Sequence, residues 1–372
     1  MSANRPEFDP PAAADSPAAA DAPPDQRPQR RIDEPDFIAR IDSLITDAGG
    51  SPTSYHGRLI RDLLQNSLKL IPDKRDSGEL KLIAAAVKEL RYAYRVFGQY
   101  PEAHKITIFG SARTPKEHPD YQATIEFSRL MADLGWMIIT GAGGGIMEAG
   151  HVGPGKEKSF GVAIRLPFEQ STNDVIAGDS KLIHFRYFFT RKLMFVSQAE
   201  AVALFPGGFG TMDEGFELLT LIQTGKAAMV PIVCLEGKDQ TYWEEFHAFV
   251  RKGLLSRKLI SDEDLNLYKI CHSAQEAVDV VTGFYRNYHS ARYVKDDLII
   301  RLKKPITAKA IEGLNADFGS LIREGGQAMH LRGPYEIEDD HKDLPRLVFS
   351  HNRRGFGLMR KLIDRINDAP LA

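Results

Sequence analysis

The run FPGGFGTMDE, Phe205 to Glu214, constrains this chain more than any other segment. Before it, Ala201-Val202-Ala203-Leu204-Phe205 is continuously apolar and reads as a buried strand. After it, Gly215-Phe216-Glu217-Leu218-Leu219-Thr220-Leu221-Ile222 has helical spacing. Pro206, Gly207, Gly208 and Gly210 therefore occupy a strand-to-helix turn. Glycines there let the backbone approach a ligand closely. The first amides of the helix point outward, and its dipole favours an anion in front of them. Thr211 adds a hydroxyl, and Glu214 lies about one turn further on. The arrangement suits a phosphorylated ligand held by backbone amides with a carboxylate beside it.

The same strand–turn–helix rhythm continues through the middle of the chain. Strands are expected at Ile106–Phe109, Trp136–Thr140, Phe160–Leu166, Leu182–Phe185, Val202–Phe205 and Ile232–Leu235. Helices are expected at Tyr121–Leu134, Arg191–Gln198, Glu214–Gln223 and Tyr242–Lys252. Such alternation predicts an α/β fold: a Rossmann-like, doubly wound parallel sheet. Ligands on these sheets bind beyond the carboxyl ends of the strands. Gly110-Ser111, Gly141 to Gly145 and Pro206 to Thr211 all lie at such ends, so three loops should share one crevice. Gly141 to Gly145 also permits a dinucleotide-binding reading. No acidic residue is well placed to hold the ribose, and the loop follows the second strand rather than the first. Tight turns with close helix packing remain a purely structural alternative.

Composition limits the other possibilities. The 372 residues, 43% hydrophobic, suffice for one sizeable core with appendages. A net charge of −2 gives no broad basic field, so nucleic acid is not an expected partner. Cys234 and Cys271 are far apart and show no metal-ligand spacing, and no cofactor is expected. No apolar run approaches a membrane span and no secretory segment follows Met1, so the chain is expected to be cytoplasmic.

Four regions are expected: a Pro/Ala-rich disordered tail over 1–35, an N-terminal helical segment over 36–100, the Rossmann-like domain over 101–290, and a small C-terminal α+β unit over 291–372. The last reads as a strand at Leu298–Leu302, a helix at Thr307–Ile322, strands at Met329–Leu331 and Leu347–Phe349, and a basic helix from about Gly357.

The PGGFGTMDE run resembles the PGGxGTxxE signature of the LOG family. Thr190-Arg191-Lys192-Leu193-Met194 is similar to the family's Arg/Lys/Met segment. Thr140 to Ala149 and Phe109-Gly110-Ser111-Ala112 are similar to its loops after the second and first strands. The four elements occur in family order over Lys105 to Tyr288, about half the chain. LOG enzymes are phosphoribohydrolases that activate cytokinins, and many long carried the label lysine decarboxylase. The resemblance implies hydrolysis of the N-glycosidic bond of nucleoside 5′-monophosphates, releasing free base and ribose 5-phosphate. It also implies a homodimer or larger homo-oligomer. The extra regions at both ends and the aromatic run His184 to Phe189 depart from the short plant enzymes. Long bacterial members are similar to general purine and pyrimidine nucleotide nucleosidases.

On this resemblance Arg191 and Glu214 are the catalytic candidates. Gly110, Ser111, Gly143, Gly144, Gly145, Lys192, Met194, Gly207, Gly208, Gly210 and Thr211 are the candidates for substrate or phosphate binding. A carboxylate beside C1′ stabilises an oxocarbenium-like sugar and takes a proton from water, which suits Glu214. Its plainer role would be to complement the helix dipole, as Asp213 could too. Arg191 carries a fixed, forked charge. Lys192 is a surface charge or a secondary contact. Met194 lines a base pocket or simply fills the core. Ser111 contacts ligand or caps its turn. The alternative function is a non-catalytic nucleotide-binding sensor. Intact Arg191 and Glu214 argue against it.

Overall fold

A computed structural model of the protein describes residues 31–165, 172–336, 338 and 340–372. Most of the expected disordered tail, residues 1–30, lies outside these residues, as does Leu166 at the end of one expected strand. The described chain divides into two compact units, 31–88 and 89–372.

The first unit is helical, as the apolar spacing predicts. α1 (Pro35–Asp47) starts on Pro35, whose fixed φ suits a first helical turn. α2 (Tyr55–Lys69) is capped by Ser54, whose hydroxyl accepts the Gly57 amide. Ile41 and Ile45 are buried, and the Arg61 guanidinium grips both oxygens of Asp42 at 2.6 and 2.8 Å. α3 (Ser77–Phe97) begins in this unit and ends in the second.

The second unit is built on a seven-stranded, wholly parallel sheet. Its strands are β1 (Lys105–Phe109), β2 (Met137–Thr140), β3 (Ser159–Ile164), β4 (Leu182–Phe185), β5 (Ala201–Leu204), β6 (Ile232–Leu235) and β7 (Lys269–Cys271). Their spatial order is β4-β3-β2-β1-β5-β6-β7. The chain winds outward from β1 to β4, then returns to β5 and winds the other way. The direction reverses between β1 and β5, the point at which such sheets open a ligand crevice.

Side chains alternate across the sheet, and each face has its own core. Ile106 and Ile108 of β1 pack with Phe127 and Met131 of α4 (Pro119–Asp133) and with Val278 and Val281 of α9 (Ala274–Phe284). Phe109 packs on the other face with Met194 and Phe195 of α6 (Phe188–Ser197), Leu218 and Ile222 of α7 (Phe209–Gln223) and Trp243 of α8 (Tyr242–Phe249). α5 (Ile146–Val152) covers β1 and β2. Helices on both faces make the sheet doubly wound, as expected.

Several boundaries differ from the expectation. α7 begins at Phe209 rather than Glu214, so Gly210 and Thr211 belong to its first turn and Gly208 is its N-cap. α8 gives way at Val250–Leu254 to a wider π-helical turn. β7, three residues long at the sheet edge, lies outside the six strands expected above, although Cys271 falls in a strand-like apolar run. Both cysteines are free and buried.

The C-terminal part adds a four-stranded antiparallel sheet, in the order β10-β11-β9-β8. It consists of β8 (Tyr288–Val294), β9 (Asp297–Leu302), β10 (His330–Arg332) and β11 (Arg346–Phe349), with α10 (Ala308–Phe318) and α11 (Phe356–Asn367). β8 was not anticipated. Its central residues are half exposed and polar, so it lacks the apolar run that marked β9. Buried Glu338 accepts hydrogen bonds from Arg301 and Arg346, an ion cluster that ties these strands together. No helix among the described residues is long and apolar enough to cross a membrane.

Candidate active site

The loops after β1, β2 and β5 converge, with the start of α6, on a cleft of about 840 Å³ at the reversal point. The Ser111 amide donates to the Pro206 carbonyl at 3.0 Å and the Ile146 amide to the Ser111 carbonyl at 2.9 Å. These bonds lock the three loops to one another. Tyr242 holds the third loop from behind, its hydroxyl donating to the Gly207 carbonyl at 2.6 Å.

The middle loop is shaped by sterics. Gly145 has φ +59°, and a Cβ there would run into the Ser111 carbonyl. A buried polar network supports it from beneath. His151 bridges the Thr140 hydroxyl and the Phe160 carbonyl, each at 3.0 Å, and meets the Asn173 side chain. Asn173 in turn donates to the Gly143 carbonyl at 3.0 Å. Burial lowers the His151 pKa to about 4, so the ring is neutral.

α7 presents its first turn to the cleft. The Thr211 and Met212 amides both turn back to the Gly208 carbonyl. The first-turn amides of Phe209 and Gly210 have no intrahelical acceptor, as at every helix start. Gly207, Gly208, Gly210 and Thr211 all line the cleft.

Arg191 forms part of the floor. Its Nε donates to the Val162 carbonyl at 2.8 Å, and its guanidinium lies 5.1 Å from the Phe195 ring centre. Gly141 leaves room for it, since a Cβ at that position would strike the guanidinium and the Met147 sulfur. Burial lowers the Arg191 pKa, opposed by the nearby Glu214 charge.

Glu214 stands on the α7 wall with 9% of its surface exposed. Burial raises its carboxyl to about pKa 7, against the pull of Lys192 and Arg191. Asp213 also borders the cleft, but its side chain is 63% exposed. Lys192 is not among the residues that line the cleft; its amine sits in a cluster of carboxylates: Asp213 at 2.8 Å, Glu217 at 2.6 Å and Glu214 at 3.9 Å. Burial lowers the lysine pKa, and the hydrogen bonds to Asp213 and Glu217 more than restore it.

Glu214 therefore holds in the folded protein a proton that an unfolded chain releases near pH 4.5. Its stabilising contribution is complete below that pH and is lost as pH rises through about 7. Glu214→Gln should thus melt above the wild type at pH 8, with the gap closing towards pH 4.5. Parallel thermal unfolding at the two pH values checks this.

The structure sorts the expected site residues. Arg191, Glu214, Gly110, Ser111, Gly207, Gly208, Gly210 and Thr211 line the one cleft. Ser111 also does what its plainer reading said, its Oγ accepting the Arg113 amide at 3.1 Å. Gly143, Gly144 and Gly145 are not among the lining residues; their loop is held by Asn173 and packs closely on the Ser111 carbonyl. Lys192 touches carboxylates. Met194 is fully buried in the core, while Met147 lines the cleft. Phe109, Arg113, Phe188, Phe195 and Phe209 line it too, without having been singled out. All five lie in or next to segments the motifs had marked.

Residues 144–281 match the family model described as "Possible lysine decarboxylase", the LOG-type model. This segment resembles a LOG-family domain. The family is nucleotide-related and its members are usually enzymes. A search of curated proteins gave no significant match. Among solved structures, the chain is similar to a molybdenum cofactor binding protein from Rippkaea orientalis. The identity is 19% and the TM-score 0.34, over 48% of this chain and 96% of that one. It is similar to the molybdenum cofactor carrier protein of Chlamydomonas reinhardtii at 18% identity and TM-score 0.35, over 48% and 96% of the two chains. It is also similar to DNA processing protein A from Helicobacter pylori at 15% identity and TM-score 0.35, over 50% and 83%.

Proposed function

We propose that the protein hydrolyses the N-glycosidic bond of nucleoside 5′-monophosphates, giving free base and ribose 5-phosphate. The observation that carries this reading is a buried carboxylate, Glu214, sharing one cleft with Arg191 and with the open first turn of α7.

The 5′-phosphate sits on the Phe209 and Gly210 amides with the Thr211 hydroxyl, where the helix dipole favours it. The C1′–N bond breaks with its electron pair leaving on the base nitrogen. Positive charge grows on the ribose, and ionised Glu214 stabilises it in a poorly hydrated site. Water adds its oxygen to C1′ and gives a proton to Glu214, which returns it to the departing base or to solvent. Arg191, held rigidly by the Val162 carbonyl, orients the ribose hydroxyls with its fixed fork.

Amine chemistry on a lysine is disfavoured. Among the described residues no lysine lines the cleft. The adjacent Lys192 is held charged by its carboxylates, the opposite of what a nucleophilic amine requires.

A panel of nucleoside 5′-monophosphates assayed for free base tests the reading, with turnover expected for one or more. Because Glu214 must be ionised, kcat/KM should rise with pH and level off above about 7. A flat profile from pH 5 to 8, with chemistry rate-limiting, contradicts the role given to Glu214.

A further inference from the structure

α6 brings Phe188 and Arg191 to the cleft, yet its own sequence does not cap it. Tyr187, at the N-cap, makes no side-chain capping bond. The missing carboxylate comes from Glu89 on α3, remote in sequence. One Glu89 oxygen accepts the Arg186 amide at 2.8 Å, and the other accepts the Thr190 hydroxyl at 2.6 Å. Thr190 is fully buried, and its hydroxyl also lies 3.0 Å from the Tyr187 carbonyl. A negative charge here opposes the positive end of the α6 dipole. Glu89 is not among the residues that line the cleft.

Its anchorage is firm. Ala93, Val96 and Phe97, further along α3, are buried, and Phe97 stacks on Phe160 of β3 with ring centres 4.5 Å apart. β3 also supplies the Val162 carbonyl that takes the Arg191 Nε. The Arg191 head is thus fixed by β3, and the turn that leads into Arg191 is fixed at Arg186 and Thr190 by a carboxylate on a helix packed against β3.

We propose that Glu89 is a positioning residue for Arg191, holding the first turn of α6 in the register that aims the guanidinium into the cleft. This rests on Arg191 acting in the site as described above. Arg191 follows Thr190 directly, so slippage of the first turn moves the fork, and a misplacement of about 1 Å costs roughly 10²-fold in rate.

The test is AMP hydrolysis and AMP binding by Glu89→Ala, Glu89→Gln and Thr190→Val, each alone and with Arg191→Lys. Glu89→Ala should lower kcat about 10- to 100-fold while AMP affinity changes little, because the α7 amides are untouched. Glu89→Gln should recover most of the loss, since its carbonyl still accepts the Arg186 amide and its NH₂ can donate to Thr190. Thr190→Val, which keeps the shape and the charge, should lose about fivefold, the worth of one hydrogen bond, and it serves if Glu89→Ala does not fold. With Arg191→Lys already present, Glu89→Ala should add little, because residues acting through one another are not additive. The proposal is overturned if folded Glu89→Ala, or Thr190→Val in its place, keeps wild-type kcat. It is overturned too if the losses multiply undiminished with Arg191→Lys, which would mark a merely structural role. Wild-type activity in Arg191→Lys would instead overturn the site reading and this inference with it.

Discussion

Replacing Glu214 with glutamine lowers kcat by about 10²- to 10⁴-fold, the usual worth of a group that takes a proton in the transition state. The amide keeps the size and hydrogen-bonding reach of the carboxylate and removes its charge. The cost falls on the step in which the ribose becomes positive, so kcat and kcat/KM should drop together. Nucleotide binding survives and can tighten, because a carboxylate near a phosphate is repulsive. Asp213→Asn is the internal control. Asp213 borders the same cleft, but its side chain is 63% exposed and paired with Lys192, so water screens what it could contribute. Steady-state kinetics of the two variants, each shown to be folded, decide the matter. Retention of more than about a tenth of kcat in Glu214→Gln, a loss under ~1.4 kcal/mol, removes Glu214 from the chemistry. A larger loss in Asp213→Asn reassigns the carboxylate.

The second large effect concerns the substrate. AMP should be cleaved at least about 10³-fold more efficiently than adenosine. Charged hydrogen bonds contribute roughly 1.5–3 kcal/mol each, and the first turn of α7 offers two amides and the Thr211 hydroxyl. Two such contacts account for a discrimination of this size. The comparison is of kcat/KM for the two compounds under one condition. Equal values would mean that the open helix turn plays no part in recognition.

Much of this site is legible in the sequence because its parts are local. A strand, a glycine-rich turn and a helix follow one another from Ala201 to Ile222, and that order alone places Glu214 at the carboxyl edge of a sheet. The exact start of α7 is not legible. Glycine at 207, 208 and 210 weakens any local signal, and the helix begins at Phe209 with the Thr211 and Met212 amides turned back to the Gly208 carbonyl. The choice between Met194 and Met147 is also hidden. Both sit near motifs, and only tertiary packing shows that Met194 faces the core while Met147 faces the cleft. β7 and β8 escape because the first is a three-residue edge strand and the second is half exposed and polar. The contact between Glu89 and the start of α6 joins residues about a hundred positions apart, and no spacing rule connects them. The raised pKa of Glu214 likewise depends on burial by several elements at once.

The central claim is that the bond broken is the one between base and sugar. The most direct measurement is a product analysis of AMP incubated with the wild-type protein. Free adenine and ribose 5-phosphate should appear in a one-to-one ratio, and Glu214→Gln should slow the release of both by the same factor. Adenosine with inorganic phosphate would contradict the claim, as would saturable AMP binding with no product.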